Sequence, residues 1–186
     1  LLKFLKKKGF AEREIFSAGL TVERQGKAGY YDRFRKRLMF PIENAYGDVV
    51  GFTARLLDPN DQGGKYVNTP QTLLYDKSGV IYGLSKAKKF MKDADLAVLV
   101  EGNMDVIASH EVGMKNAVAV SGTALTSGQL RLIARFTKNI AFAFDADPAG
   151  VGACERSIDL ALAEGMNVRI VRVPDERIDA LSKIFK

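Results

Sequence analysis

Four short apolar runs set what the second half of this chain can become: "LAVLV" from Leu96, "NAVAV" from Asn116, "IAFAF" from Ile140 and "VRIVRV" from Val168. Each is too short for an ordinary buried helix, and the first three carry almost no polar residue, so both faces of the strand they imply must be covered. Strands covered on both sides belong to parallel sheets, whose crossover helices supply the cover. The pieces between them, "MDVIASHEVG", "TSGQLRLIARF" and "PAGVGACERSIDLALAEG", have helical spacing. Two of these end on glycines, Gly113 and Gly165, where a helix C-cap is expected. Thr126 or Ser127 can cap the second helix, and Pro148 suits the first turn of the third. The expectation is a βαβαβαβ unit with right-handed connections.

The first ninety residues read differently. "LLKFLKKKGF" and "AEREIFSAGL" predict two short helices, and a Gly-rich polar stretch follows. In "RLMFPIENAYGDVVGFTARLLD" the turn "NAYGD" separates two strand-like runs, which predicts a hairpin. "DPNDQGGKYVNTPQT" reads as a loop, and "YGLSKAKKFMKDA" as a basic helix. The division is expected near Asp93 to Asp95, giving a basic α+β subdomain over 1–94 and a parallel α/β domain over 95–186. No internal repeat or low-complexity segment is present.

A chain of 186 residues that is 47% hydrophobic can bury a core without staples. The single cysteine, Cys154, cannot form a disulfide within the chain, so it reads as a packed thiol and a reducing cytoplasm as the compartment. No run of about 18 apolar residues exists, which predicts no transmembrane helix. The N-terminus is basic but lacks an apolar core and a cleavage site, so it is not read as a signal peptide. The absence of an initiator Met leads us to expect a fragment or processed product. Lys and Arg number 28 against 22 Asp and Glu, and the basic residues crowd into the first ninety positions. A basic region beside an acidic pocket suits a polyanionic substrate held near metal ions.

In an open parallel sheet, ligands collect at the C-terminal ends of the strands. Glu101 ends the first predicted strand, and Asp145 and Asp147 follow the third in "FDADPAG". Asp105 lies one helical turn past Glu101. Like charges about 4 Å apart repel by roughly 4 kcal/mol at an effective dielectric near 20, so such a cluster calls for a cation or a bound proton. Carboxylate donors with no histidine nearby and no cysteine pair favour Mg²⁺ or Mn²⁺ over zinc. Gly102 would let a ligand approach the backbone closely. Asp105 has two readings, a helix-starting acid that answers the N-terminal dipole or an acid that orients metal-bound water. "YYDRFRKR" interleaves Tyr30, Tyr31 and Phe34 with Arg33, Arg35, Lys36 and Arg37, a pattern that either stacks bases and holds phosphates or forms a strand with one solvated face. Phe34 and Leu38 are expected in the core, and His110 is expected to be packed or at the surface rather than a base.

A Glu at one strand end with D-x-D at another resembles the Toprim domain of primases, topoisomerases and related nucleases. "YYDRFRKRLMFPIENAYGDVVGFTARLLD", "KYVNTPQT", "IYGL", "VEGNMDVIA" and "FDADPAG", in that order, resemble the catalytic RNA polymerase core of bacterial replicative primases over nearly the whole chain. The resemblance implies a cytoplasmic enzyme that makes RNA primers on single-stranded DNA from nucleoside triphosphates, by two-metal nucleotidyl transfer. It implies that Glu101 assists at the reacting 3′ hydroxyl or binds metal, that Asp145 and Asp147 are metal ligands and that Asp105 is an accessory catalytic acid. It places Arg33, Arg35, Arg37, Arg55 and Lys65, with Tyr66 and Asn68 of "KYVNTP", along the template and nucleotide path. The zinc-binding module of such primases and the module that engages the replicative helicase lie outside this sequence, so no zinc is expected here.

The sequence departs from that family in three places. Asn103 stands where an aromatic residue is usual, and Ala146 where Gly is usual. "VPDERIDALSKIFK" keeps Pro174 and Asp175 but not the Gly-x-Asp-Pro-Asp segment that adds metal-binding acids, so either that segment is lost or a loop is missing. Two other functions use the same residues. A Toprim-type nuclease would need no nucleotide, and a non-catalytic nucleic-acid-binding module would need no metal.

Overall fold

The computed structural model describes residues 1–58, 60, 61, 63–122, 124–144 and 148–171, the side chains of 148–154 excepted. Two compact units form. The first comprises Leu1–Glu43 and Asp48–Lys77; the second comprises Asn44–Gly47 and Ser78–Lys186.

The first unit begins with the two expected helices, α1 (Leu2–Lys7) and α2 (Glu12–Ser17). A short antiparallel pair follows, β1 (Thr21–Glu23) with β2 (Tyr30–Asp32). The turn between α2 and β1 needs Gly19, whose φ is +72° and where a Cβ would come within 2.8 Å of Pro70 Cδ. A three-stranded antiparallel sheet then runs β3 (Arg37–Glu43), β4 (Val49–Leu56), β5 (Tyr66–Asn68). The hairpin expected around "NAYGD" is β3–β4. Tyr66–Asn68, read from sequence as loop, is instead a strand registered Arg55↔Tyr66 and Thr53↔Asn68. Thr69 fixes its end, since Thr69 Oγ1 accepts from Phe52 N–H at 2.8 Å.

Leu38 also departs from expectation. It is 51% exposed rather than core, because it stands in a row with Arg55 and Tyr66, and Tyr66 is itself 41% exposed. Phe34 is half-buried, edge-on to Phe52 at 6.3 Å. "YYDRFRKR" is not one strand, for β2 ends at Asp32 and β3 starts at Arg37, with Lys36 between them at φ 52°.

The second unit runs α3 (Leu84–Ala94), β6 (Ala97–Val100), α4 (Asn103–Glu111), β7 (Ala117–Ala119), α5 (Ser127–Ala134), β8 (Asn139–Ala143), α6 (Pro148–Ala163), β9 (Asn167–Ile170). All four apolar runs form strands of one parallel sheet, ordered β7-β6-β8-β9. One core cluster joins Leu84, Ala87 and Met91 of α3, Leu130 and Ile133 of α5 and Ala161 of α6 to Leu99, Val118, Ile140 and Phe142 of the sheet. Val106 and Ala108, the buried residues of α4, stand outside that cluster, as α4 covers the other face. Leu84, Ala87 and Met91 of α3 are buried, and α3 belongs to the compact unit of Asn44–Gly47 and Ser78–Lys186.

Local chemistry accounts for the helix ends. Thr126, not Ser127, caps α5, its Oγ1 accepting from Gln129 N–H at 3.2 Å. The fully buried Gln129 returns the bond, accepting from Thr126 N–H at 3.0 Å and donating to Val80 O at 2.8 Å. Gly113 and Gly165, past the ends of α4 and α6, have φ values of 93° and 72°. His110 is half-buried, with Nε2 2.9 Å from Ala117 O, and so is packed rather than poised as a base. Among the described residues no helix is long and apolar enough to cross a membrane.

Candidate active site

The chain leaves β6 for β7 on one side, then passes back over β6 to reach β8 on the other. The strand order therefore reverses between β6 and β8, and the connection after β6 leads to α4 on one face while that after β8 leads to α6 on the opposite face. A crevice opens at the carboxyl ends of two strands that diverge in this way. The parallel register pairs Val100 with Ala143, so both strands end at one edge. Glu101, the first residue past β6, is exposed there.

Asp105 sits in the first turn of α4 and its Oδ2 accepts from Gly102 N–H at 2.9 Å. Gly102 has extended backbone, φ −138°, so conformational freedom does not explain the glycine. A Cβ there would lie 3.3 Å from Asp105 Oδ2, and its absence lets the carboxylate close over the N–H. Of the two sequence readings of Asp105, the helix-starting acid is thus seen directly. Asn103, the departure from the usual aromatic, accepts at Oδ1 from the Ser121 hydroxyl at 2.8 Å and ties the start of α4 to the end of β7. Asp145, Ala146 and Asp147 lie outside the described residues, as do the side chain of Cys154 and the segment from Arg172 onward. The last described residue before them is Phe144, just past β8 and edge-on to Phe142 at 5.7 Å.

The described donors fit a hard divalent cation. Glu101 offers an exposed carboxylate at the crevice, and the one histidine of the chain is committed to a backbone carbonyl. Among the described residues no group of three or more His, Cys, Asp or Glu converges.

The basic residues named from sequence separate into distinct places in the first unit. Arg55, Tyr66 and Asn68 share one face of the β3–β4–β5 sheet, since Tyr66 stands opposite Arg55 and Asn68 two residues along. Arg37, opposite Leu56, and Lys65, whose carbonyl accepts from Leu56 N–H at 3.0 Å, belong to the other face. Asn68 Oδ1 is buried and accepts no hydrogen bond among the described residues. Arg35 lies over the Tyr31 ring at 5.0 Å, with Arg24 at 5.9 Å, so this ring carries the chain's own guanidinium groups. Arg33 is turned inward. Its Nε–H donates to Gly19 O at 2.9 Å, and burial pulls its pKa below the ordinary guanidinium value. That bond pins β2 to the turn before β1, a structural task that its place in a basic run does not reveal.

Two family models match the chain in succession: "DNA primase catalytic core, N-terminal domain" over residues 1–88 and "Toprim-like" over residues 98–182. A DNA primase of Clostridium acetobutylicum is 41% identical over 175 residues, covering 94% of this chain and 28% of that protein. The chain therefore spans little more than a quarter of the curated relative. The crystal structure of the Aquifex aeolicus primase, with its zinc-binding and RNA polymerase domains, superposes with a TM-score of 0.86 at 32% identity, covering 98% of this chain and 46% of that one. A primase catalytic domain solved bound to single-stranded DNA gives 0.81 at 33% identity, covering 97% and 61%.

Proposed function

This chain belongs to the family of bacterial DNA primase catalytic cores, and from that premise we propose that it is the nucleotidyl-transfer part of a primase. It joins nucleoside triphosphates into an RNA primer on a single-stranded DNA template. The observation that carries this reading is the reversal of strand order between β6 and β8, with Glu101 at the strand end and D-x-D next in sequence beyond the neighbouring strand. Glu101, Asp145 and Asp147 would hold two divalent cations, Mg²⁺ or Mn²⁺, which when bound stabilise the attacking and leaving oxygens of an in-line displacement at phosphorus.

The chain's own residues do the rest by position and charge. Asp105, through Gly102 N–H, fixes the first turn of α4 and with it the backbone that presents Glu101. Ser121 and Asn103 hold that turn from the β7 side. On the first unit, Arg55 and Tyr66 offer a guanidinium and a ring on one sheet face, where a phosphate and a base can be held together. Arg37 and Lys65 give the other face its positive charge. Arg35 with Tyr31 extends the basic surface. The relative solved with single-stranded DNA supports a template strand as the partner. Engagement of the replicative helicase through a further module, and a cytoplasmic setting, belong to the same proposal.

The test is metal-dependent dinucleotide synthesis. Asp145→Asn and Asp147→Asn each lower it at least tenfold while the fold survives, because an amide neither balances nor binds a cation as a carboxylate does. Wild-type synthesis by either folded variant refutes the metal-cradle reading.

A further inference from the structure

At the opposite edge of the second unit lies a pocket of about 580 Å³, lined by Ala45, Tyr46, Lys88, Lys89, Lys92, Leu132, Arg135 and Phe136. α3 ends at Ala94 shortly before β6 begins at Ala97, and α5 ends at Ala134 shortly before β8 begins at Asn139. The Lys92 and Arg135 ends of these helices therefore sit toward the amino-terminal edge of the sheet, away from Glu101. Nothing in the chemistry proposed above uses them.

The lining is strongly cationic. Lys88 Nζ donates to Ala45 O at 3.0 Å, which fixes its charge at the wall. Lys89 pairs with Asp93 at 2.6 Å, both side chains exposed, so that pair is weak. Lys92 lies 5.6 Å over the Phe136 ring, and Arg135 makes no ion pair among the described residues. Four cations against Asp93 leave a net excess of three. Tyr46 is 83% exposed, so its ring face is open to solvent at the pocket.

We propose that this pocket binds a nucleoside polyphosphate, its phosphates on Lys92 and Arg135 and its base against Tyr46. The volume falls within the roughly 300–1,000 Å³ usual for small-molecule sites. Ammonium and guanidinium groups are the ordinary phosphate ligands, and several of them suit a ligand with several negative charges. Phosphates of a single strand share that chemistry, but a strand needs successive free rings for successive bases. The Phe136 ring already carries Lys92, and nearby Phe90 carries Lys89 at 5.6 Å and Lys115 at 5.3 Å. Tyr46 alone lines the pocket as an uncovered ring, which fits one base. The site is thus a second nucleotide site, set apart from the carboxylate crevice and suited to regulation rather than chemistry.

The experiment is calorimetric titration of the 186-residue chain with the β,γ-imido analogue of ATP, in excess EDTA so that no cation bridges the carboxylates. A parallel titration uses a twelve-residue oligothymidylate. The expected result is that Lys92→Ala/Arg135→Ala weakens the nucleotide analogue at least tenfold and Tyr46→Ala about fivefold. The oligothymidylate should respond to neither change by more than about twofold. Tyr46→Ala alters one exposed side chain and keeps every cation, so its effect reports base contact even if the double variant folds poorly. Unchanged analogue affinity in both variants overturns the proposal. Loss of oligothymidylate binding with analogue binding retained also overturns it, because the occupant would then be a strand.

Discussion

Replacing Asp105 separates its work in the fold from any work in the chemistry. The carboxylate accepts from Gly102 N–H at 2.9 Å and lies in the first turn of α4, so two stabilising effects end with Asp105→Ala. The cap bond contributes about 1 kcal/mol, and the favourable interaction with the helix dipole about 0.3–1 kcal/mol at an exposed position. Together they predict a loss of about 1–2 kcal/mol, which for a chain of this size lowers Tm by about 3–6 °C. Asp105→Asn keeps an acceptor and loses only the charge, so it should lower Tm by about 1–2 °C. Thermal unfolding followed by circular dichroism reads both shifts. An unchanged Tm for Asp105→Ala, or equal losses for Ala and Asn, refutes the cap reading. Dinucleotide synthesis measured on the same Asn variant should fall less than about threefold, against at least tenfold for Asp145→Asn, because a cap that still holds leaves Glu101 in place.

Gln129→Ala should destabilise the second unit by about 2–4 kcal/mol in denaturant titrations, since it strands the part-buried Val80 carbonyl and the Thr126 N–H and leaves a void where the fully buried Gln129 side chain was. Arg55→Ala and Lys65→Ala should each weaken single-stranded DNA binding and lower the slope of log affinity against log salt by about one unit, read by fluorescence anisotropy. The chain alone should bind single-stranded DNA only at micromolar concentrations or weaker, and nanomolar, sequence-selective binding would show that recognition resides in this core.

The parallel sheet was legible because continuous apolar runs have few alternatives. "LAVLV" and "IAFAF" must be covered on both faces, and α4 on one side with α3, α5 and α6 on the other do so. The small antiparallel strands were not, because three residues such as Tyr66–Asn68, set among Gly and polar residues, carry no period. Their pairing is decided by β4, a neighbour in space rather than in sequence. Leu38 misled for a related reason, since an apolar residue signals burial only if its strand row is covered. At the candidate site, Glu101 and the start of α4 stood out as charge at the end of an apolar run. Arg33 looked like its neighbours and differs only in geometry, its guanidinium bound to Gly19 O. The division of Arg55 from Lys65 between two faces follows from register, which no single stretch of sequence contains.

Anomalous diffraction tests most directly the proposal that divalent cations bind between the ends of β6 and β8. Crystals of the chain soaked in Mn²⁺ with a nucleoside triphosphate should show manganese peaks within coordination distance of Glu101, Asp145 and Asp147, and Asp145→Asn crystals should lose at least one. Manganese found elsewhere, or peaks that persist unchanged in Asp145→Asn, would contradict the account.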